Sequence, residues 1–169
     1  MYLAEPVEVA RGFIEAWNDR DPDAIADLFV EDADFVNVVG LWWEDKAAIR
    51  RAHLRGFRVM FGESRNVLEH TKVRMLGRDV AVVHARWRMT GQLGPDGAPV
   101  GGRYGVFTFV VHRLPDVGWR AVSAHNTDRI EGAETMVSSS GSLTPVNYFQ
   151  PRRVPGTGRA GGLLGPPQR

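Results

Sequence analysis

Apart from one short alternating stretch at residues 33–39, the spacing of apolar residues along this chain changes near residue 66, and that change restricts the fold more than any other feature. Upstream of it, apolar side chains recur every three or four positions; downstream, every second position. Helices first and a run of strands afterwards make an α+β protein, with the helices gathered on one face of a sheet.

The helical part divides at its start signals. Val9, Ala10, Phe13, Ile14 and Trp17 form one stripe of a helix over residues 6–18, opened by Pro6. Asp21-Pro22, a capping carboxylate before a proline, starts a short second helix with Ile25, Leu28 and Phe29 on its apolar side. Residues 33–39 alternate as a strand that ends at Gly40. Asp45 caps a third helix in which Ile49, His53 and Phe57 recur every fourth residue, while Lys46, Arg50, Arg51, Arg55 and Arg58 form a solvated face.

Four strands follow, over residues 66–76, 80–90, 102–113 and 119–127. Gly77-Arg78-Asp79 and residues 114–118 read as hairpin turns, and the Gly-Pro-Asp-Gly run lies in a longer loop, residues 91–101. The third of these strands is apolar on both sides, with Phe107, Phe109 and Val111 against Tyr104, Val106 and Val110, so both faces need cover. The helices cover one face, and a second copy is expected on the other, giving a homodimer through the sheet.

Composition excludes several function classes. A net charge of +1 gives no reason to expect nucleic acid or an anionic membrane as partner. The absence of cysteine excludes disulfides, thiol nucleophiles and thiolate metal sites. No apolar run approaches the roughly 18 residues that span a bilayer, and the start lacks a signal-peptide pattern, so a cytoplasmic protein is expected. With 169 residues there is one domain, residues 1–131, and an excess. Residues 132–169 hold four Arg and one Glu, and the last thirty residues hold eleven Gly or Pro, which reads as a basic tail. Val146, Tyr148 and Phe149 can anchor its first part to the domain or a dimer mate. Gly156-Thr-Gly158-Arg-Ala-Gly161 has the spacing of a dinucleotide-binding loop but follows no strand and opens no helix.

The stretch from Ala33 to His53 sends an amide, two indoles and an imidazole towards one region. Asn37 reads either as a donor to a ligand oxygen or as a satisfied amide at a strand end. His53 reads either as a general acid or base or as a hydrogen-bonded core histidine. Trp17, Trp42, Trp43, Trp87 and Tyr104 line a flat cavity or fill a plain core, and adjacent Trp42 and Trp43 cannot both face inward. His125 and Asn126 close the last strand on opposite faces, so one of them faces the interior. His84, Arg86 and Arg88 share a strand face, as a rim for a carboxylate or enolate oxygen or as a solvated surface. Asp34 and Asp128 are candidate carboxylate bases without an evident second acid. No metal-binding spacing of histidines occurs, and neither a metal nor another cofactor is expected.

Phe35-Val36-Asn37-Val38-Val39-Gly40-Leu41-Trp42-Trp43, the helix from Ala48-Ile49 to His53, Ala85-Arg86-Trp87-Arg88-Met89-Thr90-Gly91 and the closing Gly118-Trp119-Arg120-Ala121-Val122-Ser123-Ala124-His125-Asn126 follow one another within residues 5–131. This arrangement resembles the nuclear transport factor 2-like, SnoaL-like and ketosteroid isomerase-like proteins, and is similar within them to the SgcJ/EcaC-type family, which includes proteins of nine-membered enediyne biosynthesis. The resemblance implies a cystatin-like cone, a curved mixed or antiparallel sheet wrapped around three N-terminal helices, with an apolar cavity. Relatives use that cavity for isomerisation, dehydration, aldol cyclisation or plain binding, and fold alone does not choose.

The expectation is an accessory protein that binds a polyene-like or other hydrophobic small molecule and assists its cyclisation or isomerisation, with pathway enzymes as partners. His53, His125 (the family's recurring histidine) and Asn37 are the expected catalytic residues. Phe13, Trp17, Phe35, Trp42, Phe57, Trp87, Arg88, Tyr104 and Asn126 are expected against the ligand. The alternatives are a non-catalytic binding or assembly module, and a small-substrate isomerase or dehydratase with His53 or His125 as base. Steroid-type isomerisation needs an oxyanion hole of Tyr and protonated Asp, and Phe13 or Trp17 stands where the Tyr would serve.

Overall fold

A computed structural model describes residues 2–148. The chain forms two compact units, Met1–Arg129 and Ile130–Arg169.

In the first unit, helix α1 (Val7–Asp19) buries Val9, Ala10, Phe13 and Ile14. It stops at Arg20, whose left-handed backbone (φ 56°) lets its N–H reach the Ala16 and Trp17 carbonyls. Helix α2 (Pro22–Asp27) starts where Asp21 accepts hydrogen bonds from the Asp23 and Ala24 N–H groups. Leu28 and Phe29 do not continue that helix, as their spacing suggests. Phe29 opens strand β1 (Phe29–Val36) instead. The sequence conceals this start because β1 is irregular: it pairs at Phe29 and again from Asp34, with a register shift between, and exposes the adjacent Glu31 and Asp32.

After β1 the chain reverses. The Asn37 carboxamide oxygen accepts from the Val39 and Leu41 N–H groups, Gly40 takes φ 84°, and a two-residue strand β2 (Trp42–Trp43) returns antiparallel on β1. Asp45 caps helix α3 (Lys46–Gly56), which runs into a short π-helical turn, Phe57–Phe61.

Strands β3 (Arg65–Met75), β4 (Val80–Thr90), β5 (Arg103–Leu114) and β6 (Gly118–Asp128) form an antiparallel meander. The sheet order is β2-β1-β6-β5-β4-β3, and β1 lies parallel to β6, so the sheet is mixed. Its inner face presents Ala81, Val83, Ala85, Trp87 and Met89 from β4 and Phe107, Phe109 and Val111 from β5. Phe13 of α1 packs among them, with ring centres 4.8 Å from Phe107 and 5.8 Å from Phe109. This is the core of an α+β, cystatin-like fold.

In the second unit, residues whose Ser-rich composition reads as a tail pair as a hairpin, β7 (Thr135–Ser139) with β8 (Ser142–Val146). Ser140 and Gly141 both have positive φ, 51° and 79°, which suits the two-residue turns that match strand twist. Phe149 and the Gly156–Gly161 run lie outside the described residues.

Candidate functional site

A cavity of about 120 Å³ lies between α1, α3 and the inner face of the sheet. Strand register orders its sheet wall into rows. Asn66, Met89 and Arg103 stand side by side; the next row holds Leu68, Trp87, Gly105 and Asp128; the next, Ala85, Phe107 and Asn126; and the next, Val83, Phe109 and Ala124. The wall therefore grades from polar to apolar. Gly105 makes the second row possible. A Cβ there would stand 2.2 Å from the Trp87 ring, so only glycine lets the indole lie across β5, and its Nε1 then donates to the Asn126 carboxamide oxygen at 2.9 Å.

His53 enters from α3 and is 7% exposed. Phe13, Trp17, Phe35 and Trp43 surround it with their rings at steep angles to the imidazole, their centres 5.5, 6.0, 5.5 and 5.6 Å away. Its Nδ1 is 2.8 Å from the Ile49 carbonyl oxygen. A carbonyl only accepts, so Nδ1 carries the proton and Nε2 holds a lone pair. Burial among hydrocarbon rings disfavours the imidazolium and lowers the pKa to about 4, against a smaller opposing effect of the Ile49 hydrogen bond. At neutral pH His53 is an uncharged hydrogen-bond acceptor. A general base works best with a pKa near the working pH, so this imidazole suits recognition of an O–H or N–H group better than proton abstraction.

The other polar groups on the wall are partly committed. Asn37 spends its oxygen on the β1–β2 turn, and Asn126 spends its own on Trp87. Asn66 exchanges two hydrogen bonds with Asn18 through its backbone, yet the residue is only 5% exposed and its Oδ1 has no partner among the described residues. Leaving such an oxygen unpaired costs on the order of 1–3 kcal/mol, which a polar group in the cavity would offset. Arg103 Nη2 donates to both oxygens of Asp128, at 2.8 and 2.7 Å, and Nη1 to Gln92 at 3.2 Å. Asp128, the carboxylate in the second row of the sheet wall, is thus held by a guanidinium rather than free to act as a base. No group of three or more His, Asp or Glu among the described residues is arranged to hold a metal.

Of the side chains expected at the site, Phe13, Trp17, Phe35, Asn37, His53, Trp87 and Asn126 line the cavity. Phe57 stands behind Trp17, ring centres 5.2 Å apart, and the π-helical turn brings Phe61 to the wall in its place. Four expectations are corrected. Trp42 is 61% exposed and donates to Asp34 at 2.7 Å, while Trp43, one residue on, faces inward. Arg88 is on the outer face of the sheet, 3.3 Å from Glu69, because neighbouring Trp87 points in. Tyr104 has the outward parity of Val106, opposite to Phe107, and lies under the Arg129 guanidinium at 5.4 Å.

His125 is the fourth. It is exposed, paired in register with Thr108 on the outer face, and Asn126 takes the interior position. A β-bulge decides this: Val110 pairs with Ser123 and Val111 with Ala121, so Val122 is an extra residue that switches the alternation. Sequence reasoning missed Asn66, Met89, Arg103 and Phe107 as lining residues. Asn66 and Arg103 carried a signal, since each is a polar residue at an inward position beside apolar ones.

The SnoaL-like domain family model matches residues 10–122. No curated protein matches the chain. Among solved structures, an uncharacterised protein with a cystatin-like fold from Caulobacter vibrioides is 23% identical with a TM-score of 0.66, covering 73% of this chain and 87% of that one. A ketosteroid isomerase-like protein from Erwinia carotovora atroseptica is 13% identical (TM-score 0.63; 74% and 94% covered). A protein named, by proposal, as a scytalone dehydratase from Novosphingobium aromaticivorans is 16% identical (TM-score 0.64; 73% and 80% covered). Identities this low carry the fold and nothing more.

Proposed function

The chain belongs to the SnoaL-like domain family, and from that premise we propose that its cavity binds a small, flat, hydroxyl-bearing ring, with His53 accepting the hydroxyl hydrogen bond. The observation that carries this reading is the fixed tautomer of His53: Nδ1 donates to the Ile49 carbonyl, so an uncharged acceptor nitrogen remains among aromatic rings on the cavity wall. The wall supplies flat apolar surface from Phe13, Trp43, Trp87 and Phe107.

Size limits the ligand. A dry cavity of roughly 150 Å³ takes benzene, so a space of about 120 Å³ suits one ring and short substituents. A polyene of the enediyne type, the ligand implied by the SgcJ/EcaC resemblance, would enter by one end only, and a role in its cyclisation rests on that resemblance. So do pathway enzymes as partners. Isomerase or dehydratase chemistry, in the names of two structural neighbours, asks for a base that titrates near neutrality. His53 at about 4 does not supply one, which favours binding over catalysis.

Phenol and toluene, matched in shape, test the proposal through the fluorescence of the cavity tryptophans. The preference for phenol over toluene is expected to fall about tenfold in His53→Leu, the worth of one hydrogen bond. An unchanged preference, or failure of both compounds to bind, would overturn the reading.

A further inference from the structure

Asn37 and Asn126 line the cavity in the same bonding state. Asn37 Oδ1 accepts the Val39 and Leu41 N–H groups at 3.0 and 2.9 Å, and Asn126 Oδ1 accepts the Trp87 indole N–H at 2.9 Å. Backbone and indole N–H groups only donate, so these bonds settle which end of each carboxamide is oxygen. Each amide therefore has its Nδ2 left over, with two N–H donors, and no described residue takes them. Both residues are half-buried.

The fold brings the two donors to neighbouring strand ends. In the parallel ladder of β1 with β6, Phe35 pairs with Ala124 and Val36 with His125, so Asn37 and Asn126 are the next residues on the two chains. Alternate residues of a strand share a face, which gives both asparagines the inward parity of buried Phe35 and Ala124. Each carboxamide is oriented before a guest arrives, Asn37 by the turn after β1 and Asn126 by an indole that lies across Gly105. The guanidinium on the wall, Arg103, is committed to Asp128. Neutral donors without a free cation suit an uncharged acceptor, because a carboxylate placed there would give up its water without a charge partner. His53, which offers an acceptor, comes from α3, whereas the two amides come from the sheet side.

We propose that the Nδ2 groups of Asn37 and Asn126 form a subsite for a carbonyl oxygen, so that the guest is an uncharged aromatic aldehyde or ketone. This deepens, and rests on, the reading of the cavity as a site for a small hydroxylated ring held at His53. A carbonyl oxygen has two lone pairs and no hydrogen, so it takes one N–H from each amide and leaves nothing unmatched. A second hydroxyl would bring an O–H as well, and Asn37 Oδ1 already accepts two hydrogen bonds.

Dissociation constants of toluene, phenol, benzaldehyde and benzoate for the full chain, measured by calorimetry at pH 8, test this. N37D and N126D each keep an oxygen where one is now bonded and put a second oxygen in place of Nδ2. In each variant the preference for benzaldehyde over toluene should fall at least about fivefold, the worth of one neutral hydrogen bond, while the preference for phenol over toluene does not fall. Benzoate should bind the unaltered chain more weakly than benzaldehyde does. Circular dichroism checks that both variants are folded. A measurement that needs no variant is the infrared carbonyl band of bound 13C-benzaldehyde, which should lie below its position in hexane. A benzaldehyde preference kept by either folded variant, tighter binding of benzoate, or a hexane-like carbonyl band would overturn the proposal. A phenol preference unchanged in His53→Leu, with the benzaldehyde preference still lost in N37D and N126D, would remove the His53 reading and support the carbonyl subsite. Failure of all four compounds to bind would overturn both.

Discussion

The two faces of strand β4 are one residue apart in sequence and opposed in chemistry. Inward, Ala85, Trp87 and Met89 meet the helices; outward, His84, Arg86 and Arg88 meet solvent. Histidine makes the contrast sharpest. On the inside burial holds His53 uncharged, with its Nδ1 at the Ile49 carbonyl; on the outside His84 rests its Nδ1 3.0 Å from the Thr108 hydroxyl, in a field of cations. Placement alone separates the two imidazoles: His53 lies on the buried side of helix α3, and His84 at an outward position of β4.

The largest expected difference between the faces is in stability. Phe13→Ala removes a ring packed against Phe107, Phe109 and Phe35 and should cost about 3–5 kcal/mol in denaturant unfolding. Tyr104→Ala, on the outer face, should cost less than about 1 kcal/mol. Equal losses would mean that the outer face is packed rather than open.

His53 should make stability depend on pH. Its folded pKa, about 4, lies below the unfolded value of about 6.5, so the unfolded chain binds the proton more readily in between. Stability is therefore complete above about pH 6.5 and falls by up to about 3 kcal/mol as pH drops to about 4. His53→Leu should flatten that part of the pH profile; a profile unchanged by the substitution would place the proton-sensitive group elsewhere.

Gly105→Ala should cost about 2 kcal/mol and shift Trp87 emission, because the new methyl group occupies the space of the indole. Gly101→Ala, with nothing within 4 Å of the added carbon, should change neither, and so separates a site effect from loss of a glycine.

Most of the fold is legible in the sequence. Periodicity and turn residues are local, and the expected strands at 66–76, 80–90, 102–113 and 119–127 differ from β3 to β6 by a residue or so at each end. The candidate site was less legible because it depends on which way single residues point. A one-residue bulge at Val122 turns His125 out and Asn126 in, a two-residue strand selects Trp43 over Trp42, and a π-helical turn moves Phe61 into the place expected of Phe57. Arg103 and Asp128 meet only because β5 and β6 pair, and no local pattern announces a partner 25 positions away.

Nitrogen NMR of His53 in the full chain, at pH 7 with and without phenol, tests the central claim most directly. A neutral ring with its proton on Nδ1, and an Nε2 resonance that moves as phenol binds, is the predicted result. An imidazolium at pH 7, a proton on Nε2, or an Nε2 resonance indifferent to bound phenol would contradict it.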